Sequence, residues 1–496
     1  MILLFNPPVP SGRGYTREGR CTQEAGVWGT QWPPLSLATA VAALRGDGRR
    51  VTLRDYPAAG LGMKALMDDL EALRPALAIW STGTPTLGFD LGLARLVREH
   101  APHAITAVIG THVSVLPEEA LAERSLDIVI HGEPEGIISD LARSMAKNAS
   151  EEPGHAPKNG DGDAPRRITR ARFAETRGIS FRSAEGGAVV HNPGAPLMEP
   201  DAIPAPDWGD LNLDAYRLPL KGRRFLIVAP VRGCPWRCTF CTAPLYYGHR
   251  PRLRPIVRVA DEIEDNITRF GVRDFFIWAD TFTADRSYVS EFCRTILKRG
   301  VKISWTCNSR VDTIDEELLL LMKKAGLWMI SYGIESANDA ILGACKKGIT
   351  AAQSRVAVET AHKIGIRTAG HFIFGLPGET HETMDETLAF ALSLPLDIAQ
   401  FYAAAPFPGT ALYEEALEKG WLRPKEGSKD TSFSQSGAAM DLPGLSAREV
   451  DAFRRKAFRR FYLRPSAAAR VLLMLEPGAL SNLLSSVRRY RQWIRK

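Results

Sequence analysis

The chain has 496 residues, 45% hydrophobic and 24% charged, a make-up that excludes disordered and fibrous classes and fits two or three folded domains. Its seven cysteines are an odd number without framework spacing, which argues against a disulfide-built secreted fold and for a reducing compartment. The net charge of +7 is concentrated in Arg448 to Lys496, with thirteen Lys/Arg against three Asp/Glu. The body before that tail is nearly neutral, so the basic pI says little about the body's ligands.

The opening "MILLFNPPVP" is too short and too broken by proline for a signal peptide. No run approaches the roughly 18 apolar residues of a membrane span, and a cytoplasmic location is expected. Over residues 1–147 the strand candidates are "ILLFN", "RVTLRDY", "ALAIWST", "ITAVIGTH" and "DIVIHGE". Segments with helical spacing lie between them, and such alternation predicts a Rossmann-like parallel sheet. Ligands of such sheets sit beyond the carboxyl ends of the strands. Asn6, Ser81, Gly110, Thr111, His112, Gly132 and Glu133 occupy those ends, and the small residues among them let a bulky ligand approach the backbone. There is no G-x-G-x-x-G after the first strand, which disfavours a dinucleotide.

Residues 148–220 read as a connector: a Gly-, Pro- and charge-rich linker, a hairpin ("GISFRS", "AVVHNP") and the proline-rich "PDAIPAPDW". Residues 221–425 resume the alternation with "FLIVAPVRGC", "DFFIWAD", "ISWTCNSR", "MISYGIES", "TAGHFIFGLPGE" and "IAQFYAAAPFPG", each followed by a helical segment. Six βα units predict a partial (β/α)6 barrel, whose chemistry lies on loops at the carboxyl ends of the strands. Cys234, Cys238 and Cys241, spaced C-x3-C-x2-C, fall in the first of those loops. Crowded thiols of this kind suit a metal. Structural zinc takes four protein ligands, with His249 a candidate fourth. A 4Fe-4S cluster held by three cysteines keeps one iron open to a small molecule. Asp280 ends the second strand and is the candidate catalytic or substrate-positioning carboxylate, with strand termination as its plain alternative.

C-x3-C-x-aromatic-C, with Phe240 as the aromatic, resembles the signature of the radical S-adenosylmethionine superfamily. The resemblance implies a 4Fe-4S cluster on Cys234, Cys238 and Cys241, whose open iron binds S-adenosylmethionine and cleaves it to a deoxyadenosyl radical. "YGIES" resembles the ribose-side motif with Glu335 and Ser336, "FIFGLPGET" the adenine-side segment with Gly375 and Pro377, and "CNSR" brings Asn308 and Arg310 to the cofactor's polar groups. Glu335 has a second reading as a cap of the following helix, and Arg310 as its ion-pair partner. "NPP", "WPPLSLA", "GTH…LPEEAL" and "DIVIHGEPEG" resemble the cobalamin-binding domain that precedes many such enzymes. D-x-H-x-x-G is absent, which implies cobalamin without a histidine lower ligand; His112 and His131 read more simply as hydrogen-bonding loop residues.

Together these resemblances imply a cobalamin-dependent radical enzyme, with methyl transfer from S-adenosylmethionine by way of cobalamin to an unactivated carbon as the first reading. Rearrangement, cyclisation or oxidation with the same cofactors is the second, and a zinc-bearing nucleic-acid binder is the reading from another class. The expected partners are a small-molecule or lipid-like substrate and an electron donor such as a flavodoxin or ferredoxin, with no nucleic acid. Residues 426–496 form a basic helical tail. Val450, Phe453, Ala457 and Phe461 share one helical face, and Leu480, Leu483, Leu484, Val487, Tyr490 and Ile494 another. Amphipathic basic helices either lie at an anionic membrane surface or dock on their own domain. The first alternative places the enzyme peripherally on the inner membrane face. Cys293 and Cys345 read as packing residues, and Cys21 and Cys307 as loop or strand-end thiols.

Overall fold

A computed structural model describes residues 1–9, 15–18, 23–24, 31–151, 173–183, 187–423 and 434–479. The chain divides into two compact units. The first comprises Met1–Thr22, Pro34–Asn212 and Leu245–Tyr247; the second comprises Gln23–Pro33, Leu213–Pro244 and Gly248–Lys496.

In the first unit, β1 (Ile2–Asn6), α1 (Leu35–Gly46), β2 (Val51–Asp55), α2 (Met63–Leu73), β3 (Leu77–Ser81), α3 (Leu87–His100), β4 (Ile105–Ile109), β5 (Ile128–Ile130) and α4 (Pro134–Glu151) follow in chain order. Then come β6 (Ile179–Arg182) and β7 (Val189–His191), and the sheet order is β2-β1-β3-β4-β5-β6-β7. The five strands up to β5 are parallel, and every residue of β1, β3 and β4 is buried. Continuous burial is what a sheet covered by helices on both faces requires. The hairpin expected in the connector is β6 and β7, and it extends this sheet antiparallel to β5, with Ile130 opposite Ile179. Ile179 and Phe181 are wholly buried there. Their alternation reveals a strand in the sequence, but not which edge it will pair with.

The second unit carries β8 (Phe225–Val228), α5 (Ile256–Phe270), β9 (Asp274–Ile277), α6 (Arg286–Lys298), β10 (Ser304–Ser309), α7 (Glu316–Lys324) and β11 (Leu327–Glu335). It continues with α8 (Ala351–Ile364), β12 (Arg367–Phe374), α9 (His381–Ser393) and β13 (Ile398–Ala403). These six strands form one parallel sheet in sequential order, β8 to β13, an incomplete barrel. Helix starts are set by side-chain caps: Asp285, Asp315, Thr350 and Thr380 each accept a backbone N–H of the first turn of α6, α7, α8 and α9. The outward face is identified by its partners. Trp305 stacks edge-on with Phe282 and Phe292, and Phe374 and Phe401 meet aromatic residues of the tail.

That tail segment is α10 (Ala447–Tyr462), followed by α11 (Pro465–Met474). Val450, Phe453, Ala457 and Phe461 are buried, with Phe453 edge-on to Phe374 at 5.1 Å and Phe461 to Phe401 at 6.1 Å. The apolar face of α10 is therefore a packing face, because it covers the end strand of a sheet whose backbone groups would otherwise be open. Tyr462 completes the cover: its hydroxyl accepts from Ala399 N at 3.2 Å and donates to Ala399 O at 2.8 Å. Tyr462→Phe is expected to cost about 1–3 kcal/mol by stranding both groups, read as a lower urea midpoint at unchanged m-value. The second apolar run, Leu480 to Ile494, and Cys21 lie outside the described residues. No described helix is long and apolar enough to cross a membrane.

Candidate functional site

The loop after β8 carries the three cysteines. Gly233 turns it at φ 91°, and its N–H donates to Asp280 Oδ2 at 3.1 Å, so a carboxylate in the loop beyond β9, not at its last residue as expected, fixes the residue before Cys234. Cys234 N donates to Gly248 O, Thr239 N to Cys345 O and Cys241 N to Cys238 O, at 3.2, 3.0 and 3.2 Å. Leu412 N closes the loop from the far side on Thr239 O at 2.9 Å. Cys234 is buried, whereas Cys238, Phe240 and Cys241 are half-buried. Among the described residues no group of three His, Cys, Asp or Glu side chains is arranged to hold a single metal ion, and His249 is exposed.

Charge is gathered beside Cys238. Burial pushes its thiol up, while Lys347 pulls it down, Glu335 pushes it up and Arg310 pulls it down. Burial outweighs the two cations and the thiol stands above its ordinary value, while Lys347 and Arg310 would offset the negative charge of a cysteine-ligated cluster bound there. The donor set thus fits a cluster ligated by cysteine.

Glu335 ends β11 at φ 66°, a left-handed conformation that non-glycine residues rarely adopt. Its Oε1 accepts from Lys347 Nζ at 2.7 Å, and both side chains are buried. Burial opposes the Lys347 charge, but Glu335 and Cys238 outweigh it and hold the ammonium above its ordinary value. A Cβ at residue 333 would lie 2.5 Å from Glu335 Oε1 and 2.8 Å from Lys347 Nζ, so any larger residue there would displace the pair. Glu335 does not cap the following helix. Asn338 does, accepting from Ala340 N and Ile341 N. Nor does Arg310 pair with Glu335. It pairs with Asp312 through Nε and Nη2, both at 2.8 Å, and donates to the carbonyls of Lys347 and Gly348. Its guanidinium lies 4.3 Å from the Trp236 ring centroid. Arg310 is therefore a brace between the cysteine loop and the segment bearing Lys347.

The remaining residues expected here are Asn308, half-buried on β10, and Ser336, Gly375 and Pro377. Ser336 Oγ accepts from Asn338 N at 3.1 Å and lies 3.1 Å from Thr387 Oγ1, a local scaffold. The turn after β12 is held by Glu379, whose Oε2 accepts from Gly375 N and Leu376 N. Burial drives the Glu379 carboxyl up to about 8, against those two backbone bonds. Its stabilising contribution is complete below the ordinary carboxylate pKa and fades as pH rises through about 8. Glu379→Gln keeps an oxygen for both N–H groups, so the variant's melting temperature should vary less than the parent's between pH 5 and pH 9, roughly the span bracketing these pKa values.

In the first unit, the carboxyl ends of the strands form a narrow cleft lined by Arg17, Glu18, Ser36, Thr82, Ile109, Gly110, Thr111 and Tyr246. Gly110 takes φ 150°, and a Cβ there would lie 2.4 Å from Thr82 O, so no side chain fits between β4 and β3. Arg17 locks the loop after β1. It forms a bidentate pair with Asp90, at 2.8 Å from both Nε and Nη2, and bonds Pro7 O at 3.0 Å. Asn6 is tied to Asp55 at 3.0 Å and Ser81 is buried. His112 lies between Thr84 Oγ1 and Glu119 Oε2, at 3.3 and 3.2 Å, and holds the Glu119 carboxyl low. His131 meets Ser114 O and Ser180 Oγ, Gly132 N donates to Ser114 Oγ, and Glu133 accepts from Met198 N. Neither histidine lines the cleft. Ser36, Thr82, Gly110 and Thr111 keep its rim small, and about 10 Å³ remains between them and Arg17, Glu18 and Tyr246.

Lys347, Trp236, Glu379 and Tyr246 were not legible as site residues. "CKKGIT" offers two lysines, and only folding shows that Lys347 turns inward. Tyr246 follows the cysteines in sequence but belongs to the first unit.

An amino-terminal parallel sheet with small residues at its carboxyl edge and an incomplete barrel with three loop cysteines fit an enzyme that holds a cysteine-ligated cluster and a further, bulky cofactor. The radical SAM superfamily matches residues 228–391 and the B12-binding domain residues 25–142. The chain belongs to the cobalamin-dependent radical S-adenosylmethionine enzymes, whose cofactors are a 4Fe-4S cluster, S-adenosylmethionine and cobalamin. It is 32% identical over 442 residues to an uncharacterized methyltransferase of Pyrococcus horikoshii, covering 88% of this chain and 90% of that one. It is 30% identical to the anaerobic magnesium-protoporphyrin IX monomethyl ester cyclase of Cereibacter sphaeroides, covering 78% and 61%. Its fold matches the radical methyltransferase TsrM of Kitasatospora setae, with TM-score 0.67 and 18% identity over 97% and 91% of the chains.

Proposed function

We propose that the protein transfers a methyl group to an unactivated carbon of a small-molecule substrate, with Cys234, Cys238 and Cys241 as cluster ligands. When bound, the cluster supplies the electron that cleaves S-adenosylmethionine, and cobalamin supplies the methyl carrier. The observation that carries the cluster assignment is the buried Lys347–Glu335 pair beside Cys238, with Arg310 bracing the same loop. Asp280 acts in this reading by holding the loop through Gly233 N–H. Asn308, Glu335 and the turn Gly375–Pro377 would hold S-adenosylmethionine when it is bound. The relationship to a protein named as a methyltransferase over nearly its whole length supports methyl transfer. Cyclisation with the same cofactors is the second reading, supported by the cyclase relative. Cobalamin binds at the cleft of the first unit without a protein imidazole, since His112 and His131 are both engaged by protein groups. An external one-electron donor completes the cycle.

The test is an anaerobic reconstitution of the full chain. A brown cluster band, bound cobalamin and a Co(II) paramagnetic spectrum without nitrogen superhyperfine splitting are expected. Transfer of label from methyl-labelled S-adenosylmethionine to product separates methylation from cyclisation, and a colourless zinc protein would end the proposal.

A further inference from the structure

Helix α5 buries Ile256, Val259, Ala260 and Ile263, and among them it also buries Glu262. A carboxylate taken out of water needs a partner. Burial pushes the Glu262 carboxyl up, while the Arg254 and Arg232 guanidiniums pull it down. Arg254 Nη2 lies 2.7 Å from Glu262 Oε2, and both side chains are almost wholly buried. A buried pair of this kind adds little net stability over apolar residues of the same volume. Its place in the fold is therefore the guide to its role.

That place is the neck of the cysteine loop. Arg254 precedes Pro255, the cap residue of α5, which favours extended backbone at Arg254 and continues the short strand Arg252–Leu253. This strand pairs antiparallel with Val231–Arg232, Val231 opposite Leu253 and Arg232 opposite Arg252. On one side of the pair Arg254 N donates to Pro230 O at 2.9 Å, and on the other Cys234 N donates to Gly248 O at 3.2 Å. The rungs thus lead from Arg254 to Cys234, and the loop bearing all three cysteines emerges between them. Arg254 ties this neck to its surroundings. Its Nη1 donates to Ala229 O, the residue after β8, at 3.3 Å, while Nη2 reaches α5 through Glu262. From α6, the Tyr288 hydroxyl donates to Arg254 O at 2.6 Å and lies 3.2 Å from Pro230 O. A guanidinium suits this task because its planar fork holds two acceptors in a fixed relation.

We propose that Arg254, held by Glu262, is a positioning residue that sets the conformation of the cysteine loop for cluster binding. It acts through the backbone: its bonds to Ala229 O and Pro230 O fix the segment entering the loop, and the rungs pass that register to Cys234. With the neck fixed, fewer loop conformations compete when the three thiols close on a cluster. The bound cluster then has one environment and is released slowly, as with other groups that orient metal ligands from behind. The role assigned to Arg254 rests on the three cysteines being the cluster ligands, as proposed above.

The experiment compares the full chain with Arg254→Lys and with the double variant Arg254→Met, Glu262→Leu. Lysine keeps a cation for Glu262 without the two-armed fork, and the apolar pair should retain most of the parent's stability. In the cluster-free chain, amide hydrogen exchange of residues 232–241 should quicken about tenfold in both, the effect of one lost charge-assisted contact on local opening. After reconstitution, both should lose iron to a chelator about tenfold faster and broaden the electron paramagnetic resonance of the reduced cluster. Parental exchange over residues 232–241, or parental iron loss with an unchanged resonance, overturns the proposal. So does quickening spread evenly over β8 to β13 in the double variant, the mark of a general brace. Arg254→Lys carries the same iron-loss and resonance readings should the double variant fail to fold. Iron content of the parent reports on the ligand assignment and exchange in the cluster-free chain on the neck, so either can fail while the other stands.

Discussion

Replacing any one of Cys234, Cys238 and Cys241 by Ala is expected to reduce iron content to background and to abolish deoxyadenosine formation. Three thiolates are the minimum set that leaves one iron of a 4Fe-4S cluster open, so removing one leaves no assembly that both holds and cleaves S-adenosylmethionine. Cys293→Ala is the control. Cys293 is buried on α6, and burial pushes its thiol up to about 12 against the pull of Arg294. Loss of that sulfur should cost on the order of 1 kcal/mol of packing and leave the cluster intact. Full iron and normal deoxyadenosine in any of the three single variants would sink the ligand assignment.

Lys347→Met is expected to have the next largest effect. It leaves the Glu335 carboxylate buried, at positive φ, without its cation. Breaking one side of a buried pair costs about 3–5 kcal/mol, which a denaturant titration reads directly. Lys347→Met with Glu335→Leu should regain most of that stability, because a buried pair replaced by apolar residues is often neutral. The double variant separates structure from function. If the pair serves the cofactor beside Cys238, S-adenosylmethionine affinity stays at least about tenfold weak in both variants, the loss of one charge-assisted contact. Recovery of affinity along with stability would make the pair a structural brace alone.

The contrast between these residues shows where sequence reasoning stops. Cys234, Cys238 and Cys241 lie within eight residues, so their proximity follows from the covalent chain and is visible before folding. Asp280 lies some forty residues further on, and its grip on Gly233 depends on β9 pairing parallel to β8. The reading of Arg310 as the partner of Glu335 assigned the wrong cation. Lys347 pairs with Glu335, while Arg310 is drawn onto Asp312 and Trp236.

By itself the sequence determined the alternation of strands and helices, the two parallel sheets and the cysteine loop at a strand's carboxyl end. Those features are periodicities and short spacings, fixed within a turn or a strand by backbone geometry. Only the tertiary structure decided that β6 and β7 extend the first sheet, that α10 covers the end of the second, and which of several similar cations meets Glu335. It also decided that Trp32 joins the second unit and Tyr246 the first. Each of these turns on the competition among distant surfaces for burial and for charge partners. That competition is settled by packing, and local sequence carries no record of which partner wins.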